Sequence, residues 1–184
     1  MADLSPRAGQ IVAAARELVE AGGAEALTMR ALAARLGIRA PSLYKHFPDK
    51  SAVEAELIAI ALAELAVALE RAERAERDGG EDDGGGLGAL GRAYRAYALA
   101  HPHLYRLMSA GPLPRDLLPA GVEERAAAPL ARIVRGEAAA RAVWGLAHGL
   151  VVLELDGRFP PGADVEAAWA AGMSAFTASM TAVR

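Results

Sequence analysis

Residues 27–53 read LTMRALAARLGIRAPSLYKHFPDKSAV, and the punctuation inside this stretch decides the fold. Thr28 stands where a helix N-cap is wanted, with Leu27 and Leu32 at the two positions of a hydrophobic staple; together they predict a helix over about 28–36. Gly37 follows where the chain must turn left-handed to leave that helix, a conformation glycine takes without a steric penalty. Pro41 lacks an N–H and suits a first helical turn, so it is expected at N1 of a third helix over 41–47, which Pro48 closes. Asp49 then caps a fourth helix that begins near Lys50. Two short helices around a glycine-containing turn form a helix-turn-helix.

Upstream, Ile11, Ala14, Ala15, Leu18 and Val19 recur at helical spacing, predicting a supporting helix over 6–22 that Gly22 and Gly23 stop. Downstream, the fourth helix is expected over about 50–77. The glycine- and acid-rich stretch 78–86 that follows cannot bury a core and reads as a mobile loop. Further helices are expected near 87–100, 102–110, 115–134, 137–156 and 162–182. The chain therefore reads as all-α with about nine helices: a three-helix DNA-binding domain over 1–50 and a C-terminal helical bundle over 51–184 for effector binding and dimerisation.

Composition agrees. Hydrophobic residues make up 53% of the 184, largely as alanine, and aromatics only 5%, a mix that favours helix. With no cysteine there is no disulfide framework and no thiolate metal site. No apolar run approaches the roughly 18 residues of a membrane span, and no signal sequence opens the chain, so a soluble cytoplasmic protein without a membrane partner is expected.

The net charge of -3 argues against indiscriminate coating of nucleic acid, but the charge is unevenly spread. Over 28–50 five basic side chains (Arg30, Arg35, Arg39, Lys45, Lys50) face Asp49 alone, and both lysines of the protein lie there. In the third helix Leu43 and Phe47, four apart, should face the core. Ala40, Pro41, Ser42, Tyr44, Lys45 and His46 are left on the outer side or leading end. Short side chains at that end let the backbone approach base edges, while Tyr44, Lys45 and His46 reach phosphates or bases. Lys50 adds charge beside a helix N-terminus, and Thr28 sits at another.

The segment 27–53, with its Leu43-Tyr44-x-His46-Phe47-x-x-Lys50 core after Leu36-Gly37, resembles the DNA-binding domain of the TetR family of transcriptional regulators. The resemblance covers about residues 8–56. It implies DNA contacts from Thr28, Arg30, Arg39, Ala40, Pro41, Ser42, Tyr44, His46 and Lys50, with Lys45 at a variable position suited to base discrimination. Ala40 departs from the more usual polar residue; with no hydrogen-bonding side chain it can meet at most a thymine methyl, and direct readout at that position is left open. The stretch 141–159, with Trp144, His148 and Gly149, resembles a C-terminal domain of a subset of the same family, as does the segment 101–108.

In the body, Gly145 and Gly149 form one small-residue stripe, and Ala168, Gly172, Ala175 and Ser179 another. Such stripes permit close helix approach, either within the chain or in a four-helix bundle between two subunits. A dimer would set two heads on the half-sites of a palindromic double-stranded operator. Tyr94, Tyr97, His101, Tyr105, Met108, Leu117, Trp144 and His148 are candidates to line a small-molecule effector pocket; the alternative for each is ordinary core. The reading is a homodimeric, sequence-specific repressor released by a small molecule, with no metal, cofactor or catalytic residue. Three alternatives stay open: a regulator without an effector, an all-helical enzyme using His101 or His148 as acid or base, and a helical interaction module.

Overall fold

A computed structural model describes residues 4–79 and 85–181, the side chains of 179–181 excepted. Nine α-helices occur among the described residues: α1 Pro6–Gly22, α2 Met29–Arg35, α3 Ala40–Leu43, α4 Lys50–Arg77, α5 Gly85–Ala100, α6 Pro102–Ser109, α7 Val122–Ile133, α8 Glu137–Leu155 and α9 Val165–Thr181. No strand occurs among the described residues. The chain forms two compact units, one of residues 1–64 with 101–123 and the other of 65–100 with 124–184. The division between these units falls inside α4, and α6 belongs to the first of them.

Local chemistry sets the head's elements. The Thr28 hydroxyl accepts from the Ala31 N–H at 3.0 Å, capping α2, and Leu27 and Leu32 are both buried in the staple. Gly37 leaves α2 at φ +64°, where any other residue would be strained. The Asp49 carboxylate accepts from the Ala52 N–H at 2.9 Å, capping α4. The head core gathers Ile11, Val12, Ala15 and Val19 of α1, Leu32 of α2, Leu43 and Phe47 of the third segment, Val53 and Leu57 of α4, and Leu104 of α6. Arg16 grips Glu64 with two hydrogen bonds of 2.5 and 2.9 Å. At the start of α6, His101 Nδ1 lies 2.9 Å from Glu20 Oε1 on α1.

Several boundaries differ from the sequence reading, each for a local reason. The third helix starts at Ala40, with Arg39 as its N-cap and Pro41 one position inside. It ends at Leu43, whose carbonyl is shared between the His46 N–H at 2.8 Å, at 3₁₀ spacing, and the Phe47 N–H at 3.0 Å. Over 115–121 the expected helix is reduced to the 3₁₀ turn Arg115–Leu117. Pro119 has no N–H to give, and Gly121 has φ +81°. Gly85 and Gly86 belong to α5 rather than to the expected loop, whose residues 80–84 lie outside the described residues.

In the C-terminal unit α5, α8 and α9 pack on one another through Leu87, Leu90, Tyr94, Val143, Ala147, Trp169 and Met173. Arg95 on α5 fastens all three helices. It makes a bidentate pair with Glu154 of α8 (2.8 Å twice), bonds Glu166 of α9, and lies 6.0 Å from the Trp169 ring centroid. The arginine's hydrogen bonds hold the Glu154 carboxyl below the usual carboxylate range, and those of Glu154 and Glu166 hold the guanidinium well above its own. Along α7, Arg125 and Arg132 make bidentate pairs with Glu70 and Glu73 of α4.

Candidate functional site

The expected DNA-contact residues of the head are mostly exposed. Thr28, Arg30, Arg39, Pro41, Ser42, Tyr44, Lys45 and His46 are all exposed, and Ala40 is half-buried. Beneath them Leu43 and Phe47 are buried, 0% and 5% exposed, so the short α3 and its following turn are anchored from below. Tyr44 leaves 53% of its surface open, unusual for an aromatic residue with a closed core beside it. Arg30, Arg39 and Lys45 make no ion pair among the described residues. Arg35, by contrast, is committed to Glu17 of α1, its Nε 3.0 Å from Oε2. Three exposed cations without an ion pair, in the same helix-turn-helix as an exposed phenol and imidazole, suit a surface that meets phosphates and base edges.

Lys50 has a second task. Its ammonium donates to the Ala24 carbonyl at 3.1 Å and pairs with Glu54 at 3.1 Å. One donor thus ties the 3₁₀ turn Ala24–Ala26 to the start of α4, and the Glu54 pair steadies the lysine along its own helix. Lys50 holds the head together as well as charging it.

In the C-terminal unit a small, half-open cavity of about 40 Å³ is walled by Leu69, Leu87, Leu90, Gly91, Tyr94, Leu130, Val143, Trp144, Ala147 and Met173. Of the residues expected to line a pocket, Tyr94 and Trp144 do so. Tyr97 is buried, and the half-buried His148 stands beside Trp144, ring centroids 6.4 Å apart, outside the lining. His101, Tyr105 and Met108 belong instead to the head, where Tyr105 is fully buried, Met108 packs on the core and His101 bonds Glu20. Leu117 also belongs to the head unit, 53% exposed on its 3₁₀ turn. Sequence reasoning missed the aliphatic walls, since leucine at helical spacing looks the same whether it closes a core or lines a void.

The small-residue stripes divide. A Cβ added to Gly145 or Gly149 would meet nothing within 4 Å among the described residues, and Ala175 is exposed. Ala168 is half-buried. Gly172 turns inward: a Cβ there would come within 2.8 Å of Leu146 on α8, so this glycine serves helix packing within the chain rather than a free surface. The side chain of Ser179 lies outside the described residues. Helix α8 is also apolar to a degree the sequence reading did not expect. Its 19 residues reach a mean hydropathy of 1.3, enough by length and composition for a membrane span, and only 17% of that window is buried. Leu153 and Trp144 stand 42% and 56% exposed on it.

Comparison with known proteins matches both regions. Residues 11–57 match the family model described as bacterial regulatory proteins, tetR family, and residues 87–176 match the tetracyclin repressor-like C-terminal domain. An uncharacterized HTH-type transcriptional regulator of Mycobacterium tuberculosis is 31% identical over 158 residues, covering 80% of this chain and 69% of that protein. Among solved structures, a Rhodococcus protein of unknown function superposes with TM-score 0.75 at 25% identity, covering 95% of each chain. A TetR variant of Acinetobacter baumannii in complex with minocycline superposes with TM-score 0.67 at 25% identity, covering 99% of each chain.

Proposed function

The chain belongs to the tetR family of bacterial regulatory proteins and is a DNA-binding transcriptional regulator; from that premise we propose that it is a homodimeric cytoplasmic repressor which a small molecule releases from a palindromic operator. The observation that carries the reading is the exposed array Thr28, Arg30, Arg39 to Ser42 and Tyr44 to His46 over buried Leu43 and Phe47. Arg30, Arg39 and Lys45 supply phosphate attraction, while Ser42, Tyr44 and Lys45 reach base edges. Ala40 offers only a methyl and reads a thymine methyl or nothing.

Dimerisation follows from the apolar surface left bare on α8 and α9. Ala142, Gly145 and Leu153 of α8 and Ala170, Ala171, Ser174 and Ala175 of α9 are exposed, small or apolar, and free of charge. Two such helix pairs make a four-helix bundle, which covers the apolar face of α8 without a membrane. A two-fold dimer sets two heads on half-sites about one duplex turn, roughly 34 Å, apart. One head alone makes too few contacts for useful specificity.

The input is the cavity of the C-terminal unit. The Acinetobacter relative holds minocycline, which supports a small organic effector here. The helix that supplies Leu69 to the cavity wall is α4, whose first turn carries Lys50. An effector that favours one setting of α4 over another biases operator affinity by the difference of its two binding free energies. A gel-shift titration with cavity ligands tests the switch: operator affinity must fall as the cavity fills. Affinity that stays constant at saturating ligand contradicts it.

A further inference from the structure

We propose that Ser42 is a phosphorylation site at which a serine/threonine kinase silences the head; this rests on the reading of the exposed array as the DNA-contact surface. Ser42 is exposed, and its hydroxyl makes no hydrogen bond among the described residues. Other hydroxyls are committed: Ser5 and Thr28 cap α1 and α2, Ser109 bonds the Tyr105 carbonyl and Thr177 that of Met173. Ser51 and Ser174 are exposed too, but the residues three before and three after them are Pro48 and Glu54, and Ala171 and Thr177. Among the described serines and threonines, Ser42 alone has a cation at both positions, Arg39 and Lys45.

That spacing has a geometric meaning. The Ser42 N–H bonds the Arg39 carbonyl at 2.9 Å and the His46 N–H bonds the Leu43 carbonyl at 2.8 Å, each three residues back. Residues three apart on such a segment are surface neighbours, so Arg39 and Lys45 stand one turn before and one turn after Ser42. Both are exposed and make no ion pair among the described residues. No acidic residue occurs between Glu25 and Asp49 in the sequence to compete for them. An arginine three residues before an exposed serine is also a charge pattern by which basophilic kinases choose their substrates.

In the reaction the Ser42 Oγ attacks the γ-phosphorus of ATP held by the kinase. The new Oγ–P bond replaces the bond to the β-phosphate oxygen, ADP leaves, and the hydroxyl proton passes to the kinase's base. Phosphoserine carries a charge of about −1.5 to −2 at pH 7 and three strong acceptor oxygens, enough to engage both flanking cations. Two effects then act together against the operator. The DNA backbone meets a like charge in the middle of the array, and Arg39 and Lys45 are held inside the chain instead of on DNA phosphates. Of the three loose cations only Arg30 is left to the duplex.

The test has three arms, all on the full-length protein. Peptide mass spectrometry of the protein isolated from its native host, in growing and in stationary cells, should find phosphoserine at position 42. Its absence from both would overturn the proposal. Phosphoserine placed at 42 during synthesis should weaken binding to operator fragments selected by the unmodified protein by at least about a hundredfold, and a phosphatase should restore it. Unchanged affinity would overturn the proposal as well. Phosphorus-31 NMR reads the flanking cations: the phosphate's second ionisation should lie below that of free phosphoserine and rise towards it in Arg39→Gln and in Lys45→Gln. An ionisation that neither substitution moves would overturn the assignment of the two cations to the phosphate. Failure of the regulator reading looks different, since the unmodified protein then selects no DNA at all.

Discussion

The head turns polar side chains outward over a closed apolar core, whereas the C-terminal unit leaves apolar helix faces bare, pairs its charges and keeps a void. In the head, Arg30, Arg39 and Lys45 are exposed and make no ion pair among the described residues. In the C-terminal unit, Arg95, Arg125 and Arg132 are each held by carboxylates. The contrast follows from the partner each region must meet. A polyanion is met by loose cations over a rigid base. The proposed second subunit would be met by uncharged surface, with Arg95, Arg125 and Arg132 held aside in structural pairs.

Breaking the base of the head should give the largest effect. Leu43→Ala removes a fully buried side chain beneath the exposed array; denaturant unfolding should show a loss of about 3 kcal/mol, and operator binding should fall with it. Stripping the array without touching its base comes next. The pair Arg39→Ala and Tyr44→Ala should weaken operator binding by about a hundredfold in gel shifts while the unfolding midpoint stays unchanged. A fall in stability of the same size would mean that the two side chains support the fold instead of reading DNA.

The C-terminal unit should respond through its paired charges. Glu154 is held below the carboxylate range by Arg95, so its charge stabilises the fold above about the ordinary value of 4.5 and that contribution is lost as pH falls through the lowered value. Glu154→Gln should cost about 2 kcal/mol at pH 7. Measured from pH 7 down to 3, its stability should fall less steeply than that of the wild type. The smallest effect belongs to a cap: Thr28→Ala leaves the Ala31 N–H without its acceptor and should cost about 1 kcal/mol.

What was legible in the sequence divides along the same line. Thr28, Gly37 and Asp49 act on backbone within three residues or on their own φ, so their roles can be read from neighbours alone. The exposed array was legible because it is the complement of Leu43 and Phe47 on one short segment. The end of α3 at Leu43 was not, since Pro48 marks where a helix must stop rather than where a tightened turn stops it sooner. Nor was the recruitment of α6 to the head, where Leu104 enters the core and Leu107 and Met108 pack against it from more than 80 residues downstream of α1. Among the aromatics, only the fold separates Tyr94 and Trp144, which line the small cavity, from Tyr105, which fills a core.

Selection of genomic fragments bound by the wild-type protein tests the central claim most directly. The account predicts fragments that share an inverted repeat, its half-site centres one helical turn or a multiple of it apart, about 10 base pairs each, and whose enrichment disappears for the Arg39→Ala, Tyr44→Ala variant. Fragments with no shared motif, or a motif still enriched by that variant, would contradict it.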